Sequence, residues 1–312
     1  MKYLYGEDVR KKYIPKYKEY FENNPATLSV IEVGENAENK SYILGILKLA
    51  SELGVKVEMH RIKIEVDSVI EDVTQIEDYK SKYSILSFDY IYTLPENLDK
   101  CIEVLMYNLG KRPEICGILL LSKMGYNLKY SEIANQIDPM KDVDCITDTN
   151  IRKLLEKDYK IAPCTPMAVI TMLKENNIEI SGKNCVVVGR SNVVGKPLGL
   201  MLMHEDATVT FCHSKTEDLR KYCRLSDILV SCVGKPNIIT EDMYNQGTII
   251  DVGINFVNGC IIGDVCKTFY SFDKGHVQNY TPVPGGIGPL TTLMLFKNLK
   301  TLMEERKGTN NE

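Results

Sequence analysis

The residues best suited to chemistry lie in VVVGRSNVVGKPLG, at positions 186–199. An apolar run leads into Gly189-Arg190-Ser191, and Gly195 stands near the predicted start of a helix. Gly189 lets the next amides face an anion at the helix N-terminus, and Gly195 permits its close approach. The usual G-x-G-x-x-G spacing is absent, so a plain strand–turn–helix corner is the alternative. We interpret the stretch as a phosphate-binding loop.

The end of the next strand indicates which dinucleotide this loop accepts. Enzymes that bind an unphosphorylated ribose usually carry Asp or Glu there, roughly 20 residues after the loop. Here the strand ends FCHSKT, and His213, Ser214 and Lys215 offer donors and positive charge without a carboxylate. Such an end suits the 2′-phosphate of NADP, as does Arg190. Solvated loop residues are the alternative, and the pattern favours NADP over NAD.

A second unusual segment is TPVPGGIGPLT, at positions 281–291. Its three glycines and three prolines exclude regular secondary structure. Such a segment either fixes the backbone where a ligand approaches closely or forms a rigid structural crossover. We favour the ligand-binding interpretation.

Composition excludes several classes of partner. The chain has 312 residues, is 44% hydrophobic and carries a net charge of −4, so we expect neither nucleic-acid nor membrane binding. No apolar run approaches the roughly 20 residues of a membrane-spanning helix. The first residues, MKYLYGEDVRKKY, are charged and lack a signal-peptide core, which predicts a cytoplasmic protein.

The cysteines and histidines predict neither a metal site nor a disulfide framework. The ten cysteines are scattered without a C-x-x-C pair, and the four histidines show no ligand spacing. Cys185 and Cys232 lie inside apolar runs, which is typical of buried, reduced thiols. We therefore expect no metal.

The loops described above need a scaffold, and the pattern from residue 184 onward predicts one. Short apolar runs alternate with helical segments and are bounded by Gly and Pro, which is typical of a parallel sheet built from βαβ units. The predicted strands are 184–190, 208–212, 227–234 and 248–253, and the predicted helices are 194–204, 218–224 and 241–246. This pattern predicts an α/β domain of the Rossmann type.

The first half is predicted to form another α/β domain. Its strands are 26–34, 55–62 and 115–121, its helices are 39–54 and 96–110, and 63–95 shows no clear pattern. A helix over 163–177 joins the halves, and the last helix, 289–306, is expected to pack back on the first domain. The predicted domains are 1–146 with 289–312, and 147–288.

Together these motifs resemble the methylenetetrahydrofolate dehydrogenase/cyclohydrolase family. The resemblance rests on PCTP (163–166), VVVGRSNVVGKPLG, CHSKT (212–216), DVGIN (251–255), GDV (263–265) and TPVPGGIGPLT, in the family's order and spacing. It is strong from residue 138 to 300 and weaker before. It implies two α/β domains across a cleft, the second a Rossmann-type NADP-binding domain, with a small-molecule folate substrate and a homodimer.

The resemblance also implies roles for individual residues. The positions implied to contact NADP are Gly189, Arg190, Ser191, Gly195, His213, Ser214, Lys215, Gly234, Ile254 and Gly288. The positions implied to line the folate site are Tyr42, Leu121, Asp144, Pro284, Gly285 and Gly286. Tyr42 is expected to stack on the substrate, and Asp144 to accept two hydrogen bonds from the aminopyrimidine edge of the pterin. Without the resemblance, Tyr42 is explained equally well as a half-buried helix residue, and Asp144 as the cap of a turn.

Two catalytic positions depart from the family pattern. The family carries a lysine four residues after the tyrosine, where this chain has Ile46, so this position is predicted to be inactive as a base. The family's Gln-Leu-Pro-Leu-Pro appears as LSKMG, so Leu121 replaces the glutamine. Lys48 lies about 200° further round the helix and does not take the lysine's place.

The two family reactions need different groups. Removing a hydride from a carbon between two nitrogens leaves a resonance-stabilised cation and needs positioning, with no obligatory proton transfer. Hydrolysing the methenyl product needs an activated water and a proton relay, worth about 10²–10⁴-fold, which an alkyl side chain cannot supply. We therefore predict an NADP-dependent dehydrogenase with weak or absent cyclohydrolase activity. The alternatives are a related oxidoreductase with an altered substrate and a non-catalytic folate- or NADP-binding regulator.

Overall fold

The computed structural model describes residues 1–34, 36–64, 85–93, 97–124, 126, 128–244, 247–266 and 277–309. Contacts between residues divide the chain into two compact units. The six-stranded unit comprises Met1–Tyr13, Lys153–Asp158 and Pro163–Met294, and the four-stranded unit comprises Ile14–Arg152, Tyr159–Ala162 and Leu295–Glu312. Each unit combines helices with a parallel sheet, so the predicted α/β class is confirmed.

Helices and strands follow one another in mixed order along the described chain. The first half contains β1 (Lys2–Tyr3), α1 (Gly6–Asn23), β2 (Thr27–Val33), α2 (Ala37–Leu53), β3 (Lys56–Ile64), β4 (Ile85–Thr93), α3 (Leu98–Lys111), β5 (Ile115–Leu120), α4 (Tyr130–Ala134) and α5 (Asp148–Leu155). The second half contains α6 (Cys164–Glu175), β6 (Asn184–Val188), α7 (Gly195–His204), β7 (Thr208–Cys212), α8 (Leu219–Arg224), β8 (Ile228–Ser231), β9 (Gly247–Asp251), β10 (Asn255–Val257), β11 (Cys260–Ile262), β12 (Val277–Thr281) and α9 (Ile287–Thr309).

The four-stranded sheet has the order β4-β3-β2-β5, and all neighbouring strands are parallel. Every side chain of β2 is buried, because a central strand of a parallel sheet is covered on both faces. On one face, Leu98, Ile102 and Met106 of α3 share an apolar cluster with Ile31 and Ile62 of the sheet. Since the strands are parallel, the residues that follow them meet at one edge of the sheet.

The six-stranded sheet has the order β1-β12-β9-β8-β6-β7 and is also parallel throughout. The chain passes from β6 to β7 on one side and then crosses to β8 on the other side of β6. In open α/β sheets such a reversal marks the crevice where ligands bind, at the carboxyl ends of the strands. Val188, Leu229, Ile249 and Tyr280 belong to the apolar core of this unit.

The predicted strands and helices of both halves are confirmed, with small differences at their ends. The helix predicted over 241–246 is wrong: only a 3₁₀ turn forms, over Glu241–Met243, and residues 245–246 lie outside the described chain. Tyr244 ends this turn because its backbone is extended and its ring is buried, at 5% exposure.

Strand β4 lies in the segment for which the sequence shows no clear pattern. It pairs with β3 along its whole length as the edge strand of the four-stranded sheet. Exposed polar and aromatic side chains such as Asp89 and Tyr92 interrupt the apolar alternation, as is common at an edge. Lys63 and Ile64 end β3, and the rest of the segment, 65–84 and 94–95, lies outside the described residues.

Helix α9 contributes its last part to the four-stranded unit. Asn298 donates from Nδ2 to the carbonyls of Val143 and Ala162, both at 2.8 Å, and Phe296 packs edge-on against Phe21 of α1. The domain limits predicted from the sequence stay a prediction. Neither α9 nor any other helix within the described ranges is long and apolar enough to cross a membrane.

Candidate functional site

Two glycines pack together where β6 ends and α7 begins. Gly189 has a φ of +138°, in the region that favours glycine, and a Cβ there would lie 2.6 Å from Cys232 Sγ. A Cβ on Gly195 would lie 2.5 Å from the carbonyl oxygen of Gly189. Both positions require glycine, because a side chain at 189 would collide with Cys232 after β8 and one at 195 would push α7 away from the end of β6. The result is a tight cradle at a helix N-terminus, where phosphate groups bind.

Ser191 caps the helix that follows this cradle. Its Oγ accepts hydrogen bonds from the amides of Val194 and Gly195, at 3.1 and 3.3 Å. These bonds satisfy the first amide of α7, that of Gly195, and the amide of Val194 just before the helix. The Ser191 hydroxyl proton is not used in these bonds, so it can be donated to an anion. Arg190 is exposed beside it and adds a positive charge.

A tight turn over residues 213–216 follows β7. The amide of His213 donates to Thr216 Oγ1, and the amide of Thr216 donates to the His213 carbonyl, both at 2.9 Å. The amide of Lys215 donates to His213 Nδ1 at 3.1 Å, so the neutral imidazole carries its proton on Nε2. The side chains of Ser214 and Lys215 are exposed. The turn therefore presents a hydroxyl, an ammonium and an imidazole N–H, and it contains no carboxylate.

Every position predicted to contact a dinucleotide follows the carboxyl end of a strand in this one sheet. Gly189, Arg190, Ser191 and Gly195 follow β6; His213, Ser214 and Lys215 follow β7; Gly234 follows β8; Ile254 follows β9; and Gly288 follows β12. Because the carboxyl ends of parallel strands share an edge, the topology brings these positions to one side of the six-stranded unit.

The first residues of the chain hold the loop after β12. In this loop the peptide bond before Pro284 is cis, and Gly285 has a φ of +106°. The amide of Gly6 donates to the Gly285 carbonyl at 2.8 Å, and a Cβ on Gly6 would lie 2.2 Å from the Gly286 carbonyl oxygen. A Cβ on Gly285 would lie 3.6 Å from the ring of Tyr5. No local pattern connects Tyr5 and Gly6 with a loop so distant in sequence, so both were missed.

Two buried carboxylates, Asp251 and Asp264, hold the ends of β8 and β9. Asp251 Oδ1 accepts from the amides of Gly253 and Asp264, at 3.1 and 3.0 Å, and its Oδ2 accepts from the Val265 amide at 3.0 Å. Burial raises the pKa of Asp251 to about 7; the Asp264 charge also raises it, whereas the three N–H groups lower it. The DVGIN and GDV motifs mark these positions, but their scaffold role is visible only in three dimensions.

Positions 46 and 121 are apolar and buried in the four-stranded unit. Ile46 lies on α2 four residues after Tyr42, hence on the same helix face, and is 1% exposed, whereas Tyr42 is half-buried. Leu121 follows β5 and is 2% exposed; its amide extends the ladder by donating to the Ile31 carbonyl at 3.0 Å. Neither side chain can accept or release a proton.

A polar network joins the start of α2 to the residues after β5. Asn39 Nδ2 donates to Glu32 Oε1 at 3.1 Å and to the Lys123 carbonyl at 2.9 Å. Glu32 is buried, and Arg61 Nε donates to its Oε2 at 2.7 Å. The folate positions predicted on these two elements therefore lie in the same part of the unit. No motif marks the members of this network in the sequence.

Two charged residues of the KDVD segment, Lys141 and Asp142, have structural roles. Lys141 is buried, and its Nζ donates to three carbonyls at the end of α3, at 2.7 to 3.1 Å; burial lowers the pKa of Lys141. Asp142 is fully buried and accepts hydrogen bonds from residues 146–150. Asp144 is half-buried. Of the two carboxylates, Asp144 is therefore the one with surface facing solvent.

The predicted site residues are divided between the units. Tyr42, Ile46, Leu121 and Asp144 belong to the four-stranded unit, whereas Pro284, Gly285, Gly286 and the dinucleotide positions belong to the six-stranded unit. Within the described part of the chain, no three His, Cys, Asp or Glu side chains come together as a metal site.

Comparison with known proteins identifies the family. Residues 163–307 match the family model described as tetrahydrofolate dehydrogenase/cyclohydrolase, NAD(P)-binding domain. The chain is 39% identical over 299 residues to the bifunctional protein FolD of Caldicellulosiruptor saccharolyticus, and the match covers 94% of each chain. This chain belongs to the tetrahydrofolate dehydrogenase/cyclohydrolase family. The matched residues include β6 to β12, so the six-stranded sheet is built mainly by the NAD(P)-binding domain of the family.

Solved structures of family members share the fold. The bifunctional FolD methylenetetrahydrofolate dehydrogenase/cyclohydrolase of Campylobacter jejuni has a TM-score of 0.81 and 28% identity, covering 98% of this chain and 99% of that one. The N5,N10-methylenetetrahydrofolate dehydrogenase-cyclohydrolase of Trypanosoma brucei, solved with NADP cofactor and inhibitor, has a TM-score of 0.78 and 26% identity, covering 96% and 95%. The family fold thus extends over nearly the whole chain.

Proposed function

We propose that this family member oxidises 5,10-methylenetetrahydrofolate with NADP and has weak or no methenyltetrahydrofolate cyclohydrolase activity. One contrast carries the proposal. The edge of the six-stranded sheet is lined by glycines, amides and donors, as a dinucleotide site requires. In the four-stranded unit, the positions implied to transfer protons hold the buried alkyl side chains of Ile46 and Leu121.

The residues after β6 and β7 fit NADP. The Gly189–Gly195 cradle leaves no Cβ between the strand and the N-terminus of α7, whose amides and positive dipole end suit a pyrophosphate. Arg190, Ser214 and Lys215 are exposed donors suited to the 2′-phosphate. When bound, the oxidised cofactor supplies the hydride acceptor.

The folate site is assigned to the four-stranded unit. Tyr42, half-buried on α2, is assigned to stack on the pterin ring. Asp144 is assigned to accept two hydrogen bonds from the aminopyrimidine edge. The burial of Asp142 supports this choice, because its oxygens are already satisfied within the protein. The names of the bifunctional FolD relatives from Caldicellulosiruptor saccharolyticus and Campylobacter jejuni support a folate as the substrate.

Hydride removal requires positioning rather than acid–base chemistry. A C–H bond of the methylene carbon between N5 and N10 breaks, and its electron pair leaves with the hydrogen as hydride. The two nitrogens delocalise the positive charge that remains, so no proton moves in this step. Holding the pterin and the nicotinamide face to face therefore supplies most of what the protein must contribute.

Hydrolysis of the methenyl product is the reaction that this chain is expected to lack. Water must add to the carbon, and a proton must be removed and relayed. The positions implied to do this hold Ile46 and Leu121, so the expected loss is about 10²–10⁴-fold. Ile46 also removes a positive charge from beside the forming cation, which favours hydride transfer.

We further expect a homodimer that works in the cytoplasm, on the strength of the family relation. Light scattering of the purified protein should give twice the mass of one chain. The mass of a single chain at working concentration would contradict this assignment, and it would leave the assignment of the reaction unaffected.

A paired assay on the purified protein tests the proposed reaction. One arm supplies methylenetetrahydrofolate with NADP or NAD and follows reduced cofactor and methenyl product. The other arm supplies methenyltetrahydrofolate alone and compares its decay with the rate in buffer. We expect turnover with NADP and decay no faster than in buffer. Catalysed decay of methenyltetrahydrofolate would contradict the role given to Ile46. No reaction in either arm would favour an altered substrate or a non-catalytic protein.

Restoring the two side chains tests the reason for the missing activity. The double variant Ile46→Lys, Leu121→Gln should speed methenyl decay by about 100-fold if these positions alone limit the reaction. Lys48→Met is the matched control, because Lys48 is exposed on the same helix and should contribute nothing. A change of decay rate with Lys48→Met would show that Lys48 acts in place of the lysine.

A further inference from the structure

Asp264 makes hydrogen bonds that the proposed ligand contacts do not account for. The residue is 0% exposed. Five donors surround its carboxylate: Ser231 Oγ at 2.9 Å and the amides of Val233 and Gly234 at 2.8 and 3.3 Å on Oδ2, with the Lys235 amide at 2.9 Å and Asn255 Nδ2 at 3.2 Å on Oδ1. One carboxylate therefore binds three consecutive amides of the loop after β8.

The direction of these amides determines where the neighbouring carbonyls point. A trans peptide unit holds its N–H and its C=O on opposite sides. The carbonyls of Cys232, Val233 and Gly234 therefore point away from Asp264. The Cys232 carbonyl oxygen points toward the end of β6, where a Cβ on Gly189 would lie 2.9 Å from it.

The loop after β8 lies on a defined side of the chain reversal. The turn after β7, on one side of β6, carries the donors suited to the phosphorylated ribose of the adenosine half. A dinucleotide lies across the reversal point, so its other half, which carries the nicotinamide, faces the loops after β8 and β9. The carbonyls of Val233 and Gly234 are therefore assigned to the nicotinamide side, whereas the Cys232 carbonyl packs against Gly189.

We propose that Asp264 is a positioning residue for the cofactor, an inference that rests on the proposed function. By holding the three amides, it turns the carbonyl oxygens of Val233 and Gly234 toward the nicotinamide half. These oxygens accept hydrogen bonds from hydroxyl and carboxamide groups that both redox forms carry. Their negative ends also attract the cationic ring of the oxidised form alone, so Asp264 favours NADP⁺ over NADPH.

The variant Asp264→Asn tests this role on the full chain. Asparagine keeps the size of the side chain but turns an NH₂ group toward the amides, so part of the loop loses its acceptor. Titration calorimetry with NADP⁺ and with NADPH should show NADP⁺ binding weakened by about tenfold or more, and NADPH binding weakened less. A purely structural role would not change the ratio of the two affinities.

Asp142→Asn is the matched control, because Asp142 is an equally buried carboxylate saturated by donors of the four-stranded unit. It should lower the unfolding midpoint and leave both cofactor affinities unchanged. Ser231→Ala is a milder variant that removes one of the five donors and retains the carboxylate. We expect it to weaken NADP⁺ binding about twofold, in the same direction as Asp264→Asn.

The outcomes separate this role from the proposed function. A wild-type chain that binds neither NADP⁺ nor NADPH would overturn both. The wild type could bind the cofactor while the affinities of Asp264→Asn for NADP⁺ and NADPH stay within twofold of the wild-type values. This result would overturn only the role of Asp264. Equal weakening of both forms by Asp264→Asn would also overturn it. If Asp264→Asn fails to fold, an unchanged NADP⁺ affinity in Ser231→Ala would overturn the role of Asp264.

Discussion

The carboxyl-terminal edges of the two sheets present different chemistry in one chain. In the six-stranded unit the edge combines donor side chains after β6 and β7 with a backbone surface formed by glycines that allow close contact and by loops anchored by Asp251 and Asp264. In the four-stranded unit the matching edge depends on single side chains, and at positions 46 and 121 these are buried alkyl groups.

Under the proposed function, this difference explains how a chain keeps one activity and loses another. A binding surface made of backbone depends on the fold, so it persists while individual side chains change. Proton transfer depends on one ionisable group at one position, so a single substitution removes it. Hydride transfer needs the first kind of surface, and hydrolysis needs the second.

The largest expected effect concerns Asp144, the side chain on which substrate binding at the four-stranded edge is proposed to depend. Asp144→Asn replaces a charged acceptor of two hydrogen bonds with a neutral group, a loss of about 3 kcal/mol. The kcat/KM for methylenetetrahydrofolate should fall about 100-fold in steady-state assays. Asp148→Asn, an exposed carboxylate in the same segment, should have little effect. Equal losses in both variants would remove Asp144 from the site.

The next effect concerns pH and the six-stranded edge. The pKa of Asp251 is raised to about 7 in the folded chain, so between its ordinary value and 7 the folded state binds a proton that the unfolded state has lost. Stability from this group is complete in acid and is lost as the pH rises through about 7. From about pH 5 to about pH 8, denaturant unfolding should show a loss of roughly 2 kcal/mol.

Asp251→Asn provides the comparison for this pH dependence. The variant lacks the titrating group, so its unfolding free energy should change less over the same pH range. Wild type and variant with parallel pH profiles would show that Asp251 titrates elsewhere or that another group dominates.

The smallest effect tests the cradle itself. Gly195→Ala places a Cβ against the Gly189 carbonyl, so the start of α7 must move away from β6. NADP⁺ affinity, measured by titration, should fall about tenfold. Gly110→Ala is the matched control, because a Cβ there meets nothing within 4 Å and α3 should become slightly more stable. Unchanged affinity in Gly195→Ala would mean that the cradle is not the phosphate site.

The fold was most predictable where short apolar strands alternate with helices, from β6 to β8. Such runs are apolar because both faces of a parallel sheet are covered. Prediction failed at β4, where exposed side chains such as Asp89 interrupt the pattern, and at β1, a strand of two residues. Both are edge strands without a continuous apolar run, so their structure depends on a pairing partner that local sequence does not show, whereas the edge strands β5 and β7 carry runs that the sequence reveals.

Motifs in the sequence mark some residues of the candidate site. Residues that belong to it only through contacts in the folded chain are not marked in the sequence. Glycine, serine and basic residues after β6 and β7 stand out by spacing, and their ligand contacts remain a prediction. Glu32, Asn39 and Arg61 form a network through side chains from three elements, so no single segment signals it. Tyr5 and Gly6 act on a loop at the other end of the chain.

The pairing of β1 with β12 has a consequence for the order of folding during synthesis. Lys2 and Tyr3 pair with Asn279 and Tyr280, so β1 is synthesised more than 270 residues before its partner. At roughly 5–20 residues per second, that partner follows only after tens of seconds. The four-stranded sheet, whose strands end by Leu120, can pair long before. In each newly made molecule, the edge of the six-stranded sheet and the loop held by Gly6 are therefore among the last parts to be completed.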